Sequence, residues 1–528
     1  MTIFRCPHCG AETAYDPSKG KVVCEYCGSE LTVDDYNAYL DEKGLYQANE
    51  LSCRQCGARI LSTDNTVATF CSFCGSPLVL DSRIREEKKP DYIIPFKVKR
   101  QRAYNIYRKK IDRTLLAPTW MKDEGNEQKI RGIYMPFHIY RFTHKGTYEG
   151  EAEKTSIEKE KGKKYDVTRT YEIESPVTVD YDFIPADGAA SFPDSISRAV
   201  CPYSEKDLED FQLPYFAGYY ADGSDVPESL YADKMEAIVR NDIGSRNVSS
   251  GGLSVDNSKL EKIELEKSVK TAMFPVWFMS FRNKDKISYA AVNGQTGELA
   301  ADIPISFGRY LAAAAIVAGF ISLLFNLIFT LTPGNLMTIS TVLAFVSLLM
   351  ANGLLNDTFR RKRHYDDAGY SGIDEEPMEG KPVNVSKIQK NVGLVIQSII
   401  LFTIFIVLTI LILVLGVEDA FMLTVMPVAF VVMVILLFAS GSKLKGASIK
   451  KKKAPLWYKL FTFIKPLLAA ASCWYVKFFY PNTDEYAYLA AMFAILMIIF
   501  TAFDIVRAQN RFTMRDLPVF NEKRGGDE

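Results

Sequence analysis

The chain has 528 residues, with 63 basic and 63 acidic side chains and no net formal charge. That length exceeds one ordinary domain, and roughly two to four units are expected. The balanced total excludes a uniformly basic or uniformly acidic chain, so charge has to be read segment by segment.

The N-terminus, Met-Thr-Ile-Phe, runs directly into a cysteine knuckle at Cys6 without an apolar h-region, so no secretory signal is expected. Of ten cysteines, eight fall within the first 74 residues, all as C-x-x-C pairs. Cys6, Cys9, Cys24 and Cys27 form one set, and Cys53, Cys56, Cys71 and Cys74 repeat it at an offset of 47. A C-x-x-C turn aims two thiolates at one ion, and a hairpin brings up the second pair to complete a tetrahedron. Gly10, Gly28, Gly57 and Gly75 follow each knuckle, where a tight turn needs positive φ and backbone N–H groups facing the sulfurs.

This pattern predicts two structural zinc ions, one per set, with no open coordination position and therefore no catalysis at the metal. Iron in a rubredoxin-like site is the main rival, and a redox dithiol stands behind it. His8 lies inside the first knuckle, but four thiolates already close the site and the second copy has Gln55 there. Units this small need the folding energy that metal binding supplies. Paired knuckles of this kind also favour a reducing, cytosolic location.

Zinc ribbons often bind nucleic acid, and the charge count argues against it here. Residues 1–80 hold six basic side chains against ten acidic ones, a balance of −4, whereas phosphate contacts need a basic surface. Tyr15, Tyr26 and Phe73 could stack on bases, but such aromatics more often fill small cores.

Residues 83–305 read as a cytosolic α+β domain. A short strand is expected at IIPFKV and a helix at KRQRAYNIYRKKIDRTLL, with apolar positions at Ala103, Ile106, Tyr107 and Ile111 and one basic face. That face could touch phosphate or an anionic lipid surface, or simply be solvated. IRGIYMPFHIYRFTHKGTYEG reads as a strand, EAEKTSIEKEKGKKYDVTRTYEIE as a charged loop or hairpin, and VTVDYDFI as a strand. Helices are expected near SEKDLEDF and over VPESLYADKMEAIVRNDI, then two or three strands around the Asn-Gly turn of FPVWFMSFRNKDKISYAAVNGQTGELAADIP. His138 and His144 would stand about 20 Å apart on a strand, too far for a shared site. Cys201 reads as a core or surface thiol. No phosphate-binding loop, nucleophile elbow or H-E-x-x-H motif occurs.

From residue 306 the composition turns apolar. Six runs, at about 310–331, 336–355, 392–415, 420–439, 460–480 and 486–503, predict an all-α polytopic membrane domain over 306–505. The run at 460–480 is the weakest, because it carries Lys465 and Lys477. The connections DTFRRKRHYDD and GSKLKGASIKKKKAPLWYK and the tail over 506–528 are basic, whereas TPGN, GVED and PNTDE lack Lys and Arg. The positive-inside rule then puts both termini in the cytoplasm of a multi-pass protein of the cell membrane. Asn326, Asn352, Gln397 and Lys477 are the polar residues of these runs, too few to mark an ion path. The fold expected is therefore multidomain: two N-terminal zinc ribbons (1–35 and 36–82), the α+β domain, six membrane helices and the tail.

The CPHCG and CEYCG knuckles, YIIPFKVKRQRAY, IRGIYMPFHIYRF, FAGYYADGSDV and VWFMSFRNKDKISYAAVNGQTGEL together resemble a family of bacterial membrane proteins described as TFIIB-type zinc-ribbon proteins. That family is also likened, through its ribbons, to the primosomal replication-restart helicase. The resemblance covers roughly residues 1–305. The helicase likeness does not extend to chemistry, since neither a phosphate-binding loop nor a DEAD-like box is present. The resemblance implies membrane-stress or SPFH-type scaffold proteins as partners. The functional expectation is a non-enzymatic adaptor in the bilayer whose cytoplasmic face recruits or senses a protein partner. A transporter or channel with a zinc-ribbon regulatory head is the alternative, and a membrane-tethered nucleic-acid binder is the second.

Overall fold

The computed structural model describes residues 4–41, 48–53, 55–62, 71–76, 80–85, 89–160, 163–189, 191–224, 226–246, 254–255, 264–328, 332–361, 456–480 and 483–517. The first cysteine set sits on a three-stranded antiparallel meander of β1 (Thr13–Asp16), β2 (Lys21–Cys24) and β3 (Glu30–Leu31). Helix α1 (Val33–Asp41) follows. Thr32 starts it: its hydroxyl accepts from the Asp35 N–H at 3.1 Å and donates to the Asp35 carboxylate at 2.6 Å.

The main sheet is built on β8 (Arg131–Glu160), which has partners along both edges. One edge pairs with β13 (Glu266–Asn283), antiparallel from Glu266 opposite Thr143 to Phe278 opposite Arg131. The other pairs with β9 (Lys163–Asp187), from Phe137 opposite Asp187 to Glu160 opposite Lys163, with a register shift between Tyr140 and Phe142. Where β9 stops, the short strand β11 (Tyr220–Ala221) takes its place, parallel to Ile133 and Tyr134. It passes the sheet on to β5 (Arg59–Ser62), then β4 (Ala48–Cys53) and β6 (Leu80–Arg85). The strands of the second cysteine module are thus hydrogen-bonded into the domain's own sheet. Three short strands complete the sheet: β7 (Tyr92–Ile93) runs parallel to β13, β10 (Glu209–Asp210) pairs with β7, and β12 (Ser254–Val255) pairs with β8. Beyond β13 lie β14 (Lys286–Asn293) and β15 (Leu299–Ala301).

Period-2 alternation divides the core between the two faces of this sheet. On β13, Met273, Trp277, Met279 and Phe281 point into one cluster, and Ala272, Phe274, Val276 and Phe278 into another. The first cluster holds helix α2 (Arg100–Arg113) through Ala103, Tyr104, Tyr107 and Ile111, together with Phe4, Tyr15, Val22 and Tyr36 of the first cysteine module. The second holds α3 (Asp194–Val200) and the second cysteine set. The duplicated modules therefore pack on opposite faces of one sheet.

The domain is β-rich, which corrects the expected α+β class. Strands β8 and β9 run 30 and 25 residues, so the charged stretch beyond residue 150 is a long antiparallel strand pair, the hairpin and not the loop of the two sequence readings, with the short strand Ser254–Val255 added beside Ala152 and Glu153. Alternation of charged and β-branched residues there suits a strand pair solvated on both faces. SEKDLEDF is not a helix either: a single 3-10 turn, Glu205–Asp207, leads into a two-residue strand, Glu209–Asp210. The helix expected beyond it is present as α4 (Ser229–Arg246).

The expectation of six spanning helices is also corrected. Among the described residues, one helix is long and apolar enough to cross a membrane, Asp484–Asn510, within α8 (Asp484–Thr513). Phe307–Phe320 of α5 (Phe307–Ile328) and Pro333–Leu348 of α6 (Pro333–Arg361) are shorter apolar helices. The run at 460–480 lies in α7 (Leu456–Phe479), which carries Lys459, Lys465 and Lys477 and an internal Pro466. The runs at 392–415 and 420–439 lie outside the described residues. Among the described runs, the apolar stretches of α5 and α6 fall short of a span's length, and the lysines and proline of α7 break its apolar run. Ala344, Ala469, Ala470, Cys473, Ala487, Ala490 and Ala494 pack α6, α7 and α8 together over small residues.

The helices are tied back to the sheet domain at their ends. The Asn510 side chain accepts from the Ile305 N–H at 2.7 Å and donates to the Ile305 carbonyl at 2.8 Å. Just beyond, β16 (Arg515–Asp516) pairs with Ile287 and Lys286 at the edge of β14.

Candidate metal centres

Each cysteine set closes into a compact cluster whose ligand atoms all lie within 4.8 Å of one another. In the first, the Sγ atoms of Cys6 and Cys27, and of Cys9 and Cys24, are 3.6 Å apart. In the second, Cys53 and Cys74 are 3.7 Å apart and Cys56 and Cys71 are 3.8 Å apart. Four sulfurs at about 2.3 Å from a tetrahedral ion stand about 3.8 Å from each other, so both clusters could hold a metal ion.

The backbone makes all four knuckles alike. The first cysteine of each donates its N–H to the carbonyl five residues on: Cys6 to Ala11, Cys24 to Ser29, Cys53 to Ala58 and Cys71 to Ser76, at 2.8–3.0 Å. The glycine N–H returns to that cysteine's carbonyl at 2.7–2.9 Å. Gly10, Gly28, Gly57 and Gly75 hold φ between 66° and 77°, which is why glycine is needed at each. Their own N–H groups face carbonyls, not sulfurs. The backbone groups that hydrogen-bond the Cys6 sulfur belong to His8 and Cys9.

Two serines were missed as site residues. Ser29 Oγ lies 3.1 Å from the Cys6 sulfur and 3.2 Å from that of Cys27. Ser76 Oγ lies 3.0 Å from Cys74. They occupy equivalent positions 47 apart, directly after the knuckle glycines, so the repeat itself carried the signal. Burial raises the Cys6 thiol, but the hydrogen bonds from Ser29, the His8 and Cys9 backbone and Cys27 outweigh it, bringing it down to about 6. Cys53 is likewise held well below the ordinary thiol range by Cys56, Cys71 and Cys74. Each cluster thus has a thiol favoured as thiolate, the form that ligates metal.

The surroundings differ sharply. In the first cluster Cys6 and Cys24 are buried while Cys9 and Cys27 are exposed; in the second all four are buried. Tyr26, inside the C-E-Y-C knuckle, is 83% exposed, whereas its counterpart Phe73 is fully buried against Phe278, with ring centroids 5.7 Å apart. The Tyr289 hydroxyl donates to the Phe73 carbonyl at 2.8 Å. His8 and Gln55 are both exposed.

The first module is docked, not tethered loosely. The Tyr15 N–H donates to the Ala217 carbonyl at 3.0 Å, and the Tyr15 and Tyr215 rings meet edge to face at 5.1 Å. Gly218, at φ +79°, lets Ala14 approach to where a Cβ would stand 2.9 Å away. Lys99 reaches Asp16 at 3.2 Å, and Gln212 donates to Asp34 at 2.8 Å.

The remaining candidates do not assemble. His138 is buried, its Nε2 2.8 Å from the Val226 carbonyl, while His144 is half-buried with Nδ1 2.8 Å from the Glu264 carbonyl. Burial, with the Asp187 charge, pushes the half-buried Cys201 thiol up to about 11, which suits an inert thiol. Asp504 was missed because the apolar run ends before it; the helix continues, and Asp504 forms an ion pair with Lys465 across α7 and α8.

Fold and site define a class: a β-rich domain that carries two four-cysteine clusters on opposite faces and continues into apolar helices. No protein-family profile and no solved structure matches the chain. It is 32% identical over 327 residues to the uncharacterised protein YdjG of Bacillus subtilis (strain 168), across 60% of this chain and 94% of that protein. The chain belongs to the same family as YdjG.

Proposed function

We propose that the protein is a non-enzymatic adaptor, anchored in the cell membrane by its C-terminal helices, whose cytoplasmic head holds two structural zinc ions and docks a protein partner. One observation carries the reading: the first cluster presents Cys9, Cys27 and Tyr26 to solvent, while the same module repeated is sunk in the core. A purely structural duplicate has no reason to keep an aromatic side chain in water. The acidic balance of residues 1–80 favours a partner that brings basic side chains, and disfavours nucleic acid. Four cysteines leave no open ligand position, consistent with structural metal. The membrane-stress or SPFH-type scaffolds implied by the family resemblance are the partner class. Multi-pass insertion with both termini in the cytoplasm follows from the basic flanks of the apolar segments.

The test is a photo-crosslinking residue at position 26, compared with one at position 238, where Ile238 is 50% exposed on α4. A discrete protein adduct from 26 and none from 238, in intact membranes, supports the adaptor. Equal adducts, or none, contradict it.

A second reading, a transporter regulated by its head, is favoured by the Lys465–Asp504 pair between α7 and α8. Ion or solute flux in proteoliposomes that disappears in Asp504→Asn would promote it over the adaptor.

A further inference from the structure

The C-terminal turn of α2 carries three exposed cations, Lys109, Lys110 and Arg113. Residues 109 and 113, and 110 and 113, are spaced to share one helix face. Arg108 and Asp112 bond each other at 2.9 Å, so the turn's one carboxylate is engaged. No ion pair to Lys109, Lys110 or Arg113 occurs among the described residues. Directly after the helix stands Leu115, 81% exposed, a large apolar side chain in water beside three cations.

The position of this turn gives the combination its meaning. The Ser306 N–H donates to the Leu116 carbonyl at 2.8 Å, and Phe307 begins α5 one residue later. Asn510 clamps the neighbouring Ile305 from the end of α8. Leu115 therefore lies at the level where α5 leaves the sheet domain and α8 returns to it. Arg309, with Tyr310 beside it, and the exposed Arg507 lie on those helices close to the same level. Cations and a tyrosine at the ends of apolar helices are the composition of a membrane–water interface.

We propose that Lys109, Lys110, Arg113 and Leu115 form a foot that rests on the bilayer surface, the cations on anionic phospholipid headgroups and Leu115 in the acyl boundary. The inference rests on the membrane-anchored reading and adds to it a contact that fixes the head's attitude to the membrane. Basic side chains near an anionic surface each strengthen attachment by about fivefold, and the effect fades within a Debye length. An exposed leucine beside them gives the contact its apolar element.

The experiment uses the full chain in nanodiscs, with a fluorescent unnatural residue at position 115. One disc is phosphatidylcholine alone, and the other contains phosphatidylglycerol as well. The proposal expects blue-shifted emission, quenched by headgroup-level nitroxide lipid, in the anionic disc only. Added salt and the triple variant K109Q/K110Q/R113Q should reverse it, the variant weakening the docked state by about a hundredfold. These are exposed positions, so the variant should fold. Identical emission in both discs, or an unaltered signal in the variant, overturns the foot while leaving the anchor intact. A blue shift on adding an RNA oligonucleotide to discs lacking phosphatidylglycerol, absent in the triple variant, would show the cations serving nucleic acid and overturn it too. Extraction of the native chain from membranes by alkaline carbonate overturns the anchored reading itself and the foot with it.

Discussion

Tyr26 and Phe73 occupy the same position in two copies of one cysteine module, and they meet opposite environments. The knuckles agree down to hydrogen-bond lengths and glycine φ values. What differs is the company: the first module docks on one face of the sheet through Tyr15 and Ala14, and the second is threaded into the sheet through β11. A duplicated metal module can thus be divided between roles without altering its ligands. In the adaptor proposal, the buried copy fixes the fold and the half-exposed copy is the one available to a partner.

The largest expected effect separates the two clusters by ligand loss. In Cys71→Ser the buried set loses a ligand and leaves uncompensated thiolates inside the core. Metal binding to such sites is worth on the order of 10 kcal/mol of folding energy, comparable to a whole domain's stability of about 5–15 kcal/mol. The variant should fail to fold, as measured by protease resistance. Cys9→Ser loses a solvent-facing ligand and should keep a protease-resistant domain. Equal damage from both would break the comparison.

A smaller effect tests whether the helices and the buried cluster are linked through β14 and β16. Asn510→Ala removes both hydrogen bonds to Ile305 and should cost about 1–3 kcal/mol. Faster hydrogen exchange at Ile305 and at Ile287 on β14 is the expected readout, with metal content unchanged. Metal loss from the second cluster in this variant would mean that the helices hold that cluster in place.

The smallest effect compares the serines. Ser76→Ala should weaken metal retention more than Ser29→Ala, because Ser76 is itself buried against the buried Cys74, whereas Ser29 is partly exposed and one of its two sulfurs, Cys27, faces solvent. A hydroxyl donated to a buried charged group is worth about 1.5–3 kcal/mol, and an exposed one less. Competition with a chromophoric chelator would rank them, and the opposite order would contradict the burial argument.

Much of the ligand geometry was legible, because eight cysteines at fixed spacing and an exact offset leave few arrangements. Helix α2 and strands β8, β13 and β14 were legible through periodicity. The asymmetry of the clusters was only hinted at, in Glu25-Tyr26 against Ser72-Phe73. The joint that buries the second module was not legible, since Tyr220–Ala221 is too short to carry a pattern. The β8–β9 strand pair was legible only as one of two alternatives, loop or hairpin, because its charge resembles a loop when neighbouring strands are unknown. In the apolar half, hydropathy showed where carbon is abundant but neither how α6, α7 and α8 share it nor that Asp504 meets Lys465.

The most direct test is metal release from the full chain, followed with a chromophoric chelator while protease resistance is monitored in parallel. The account predicts two zinc ions leaving in two phases. The first phase releases one ion and leaves the domain resistant; the second is far slower and coincides with loss of the fold. Release of both ions in a single phase, or a fold that survives their complete removal, would contradict it.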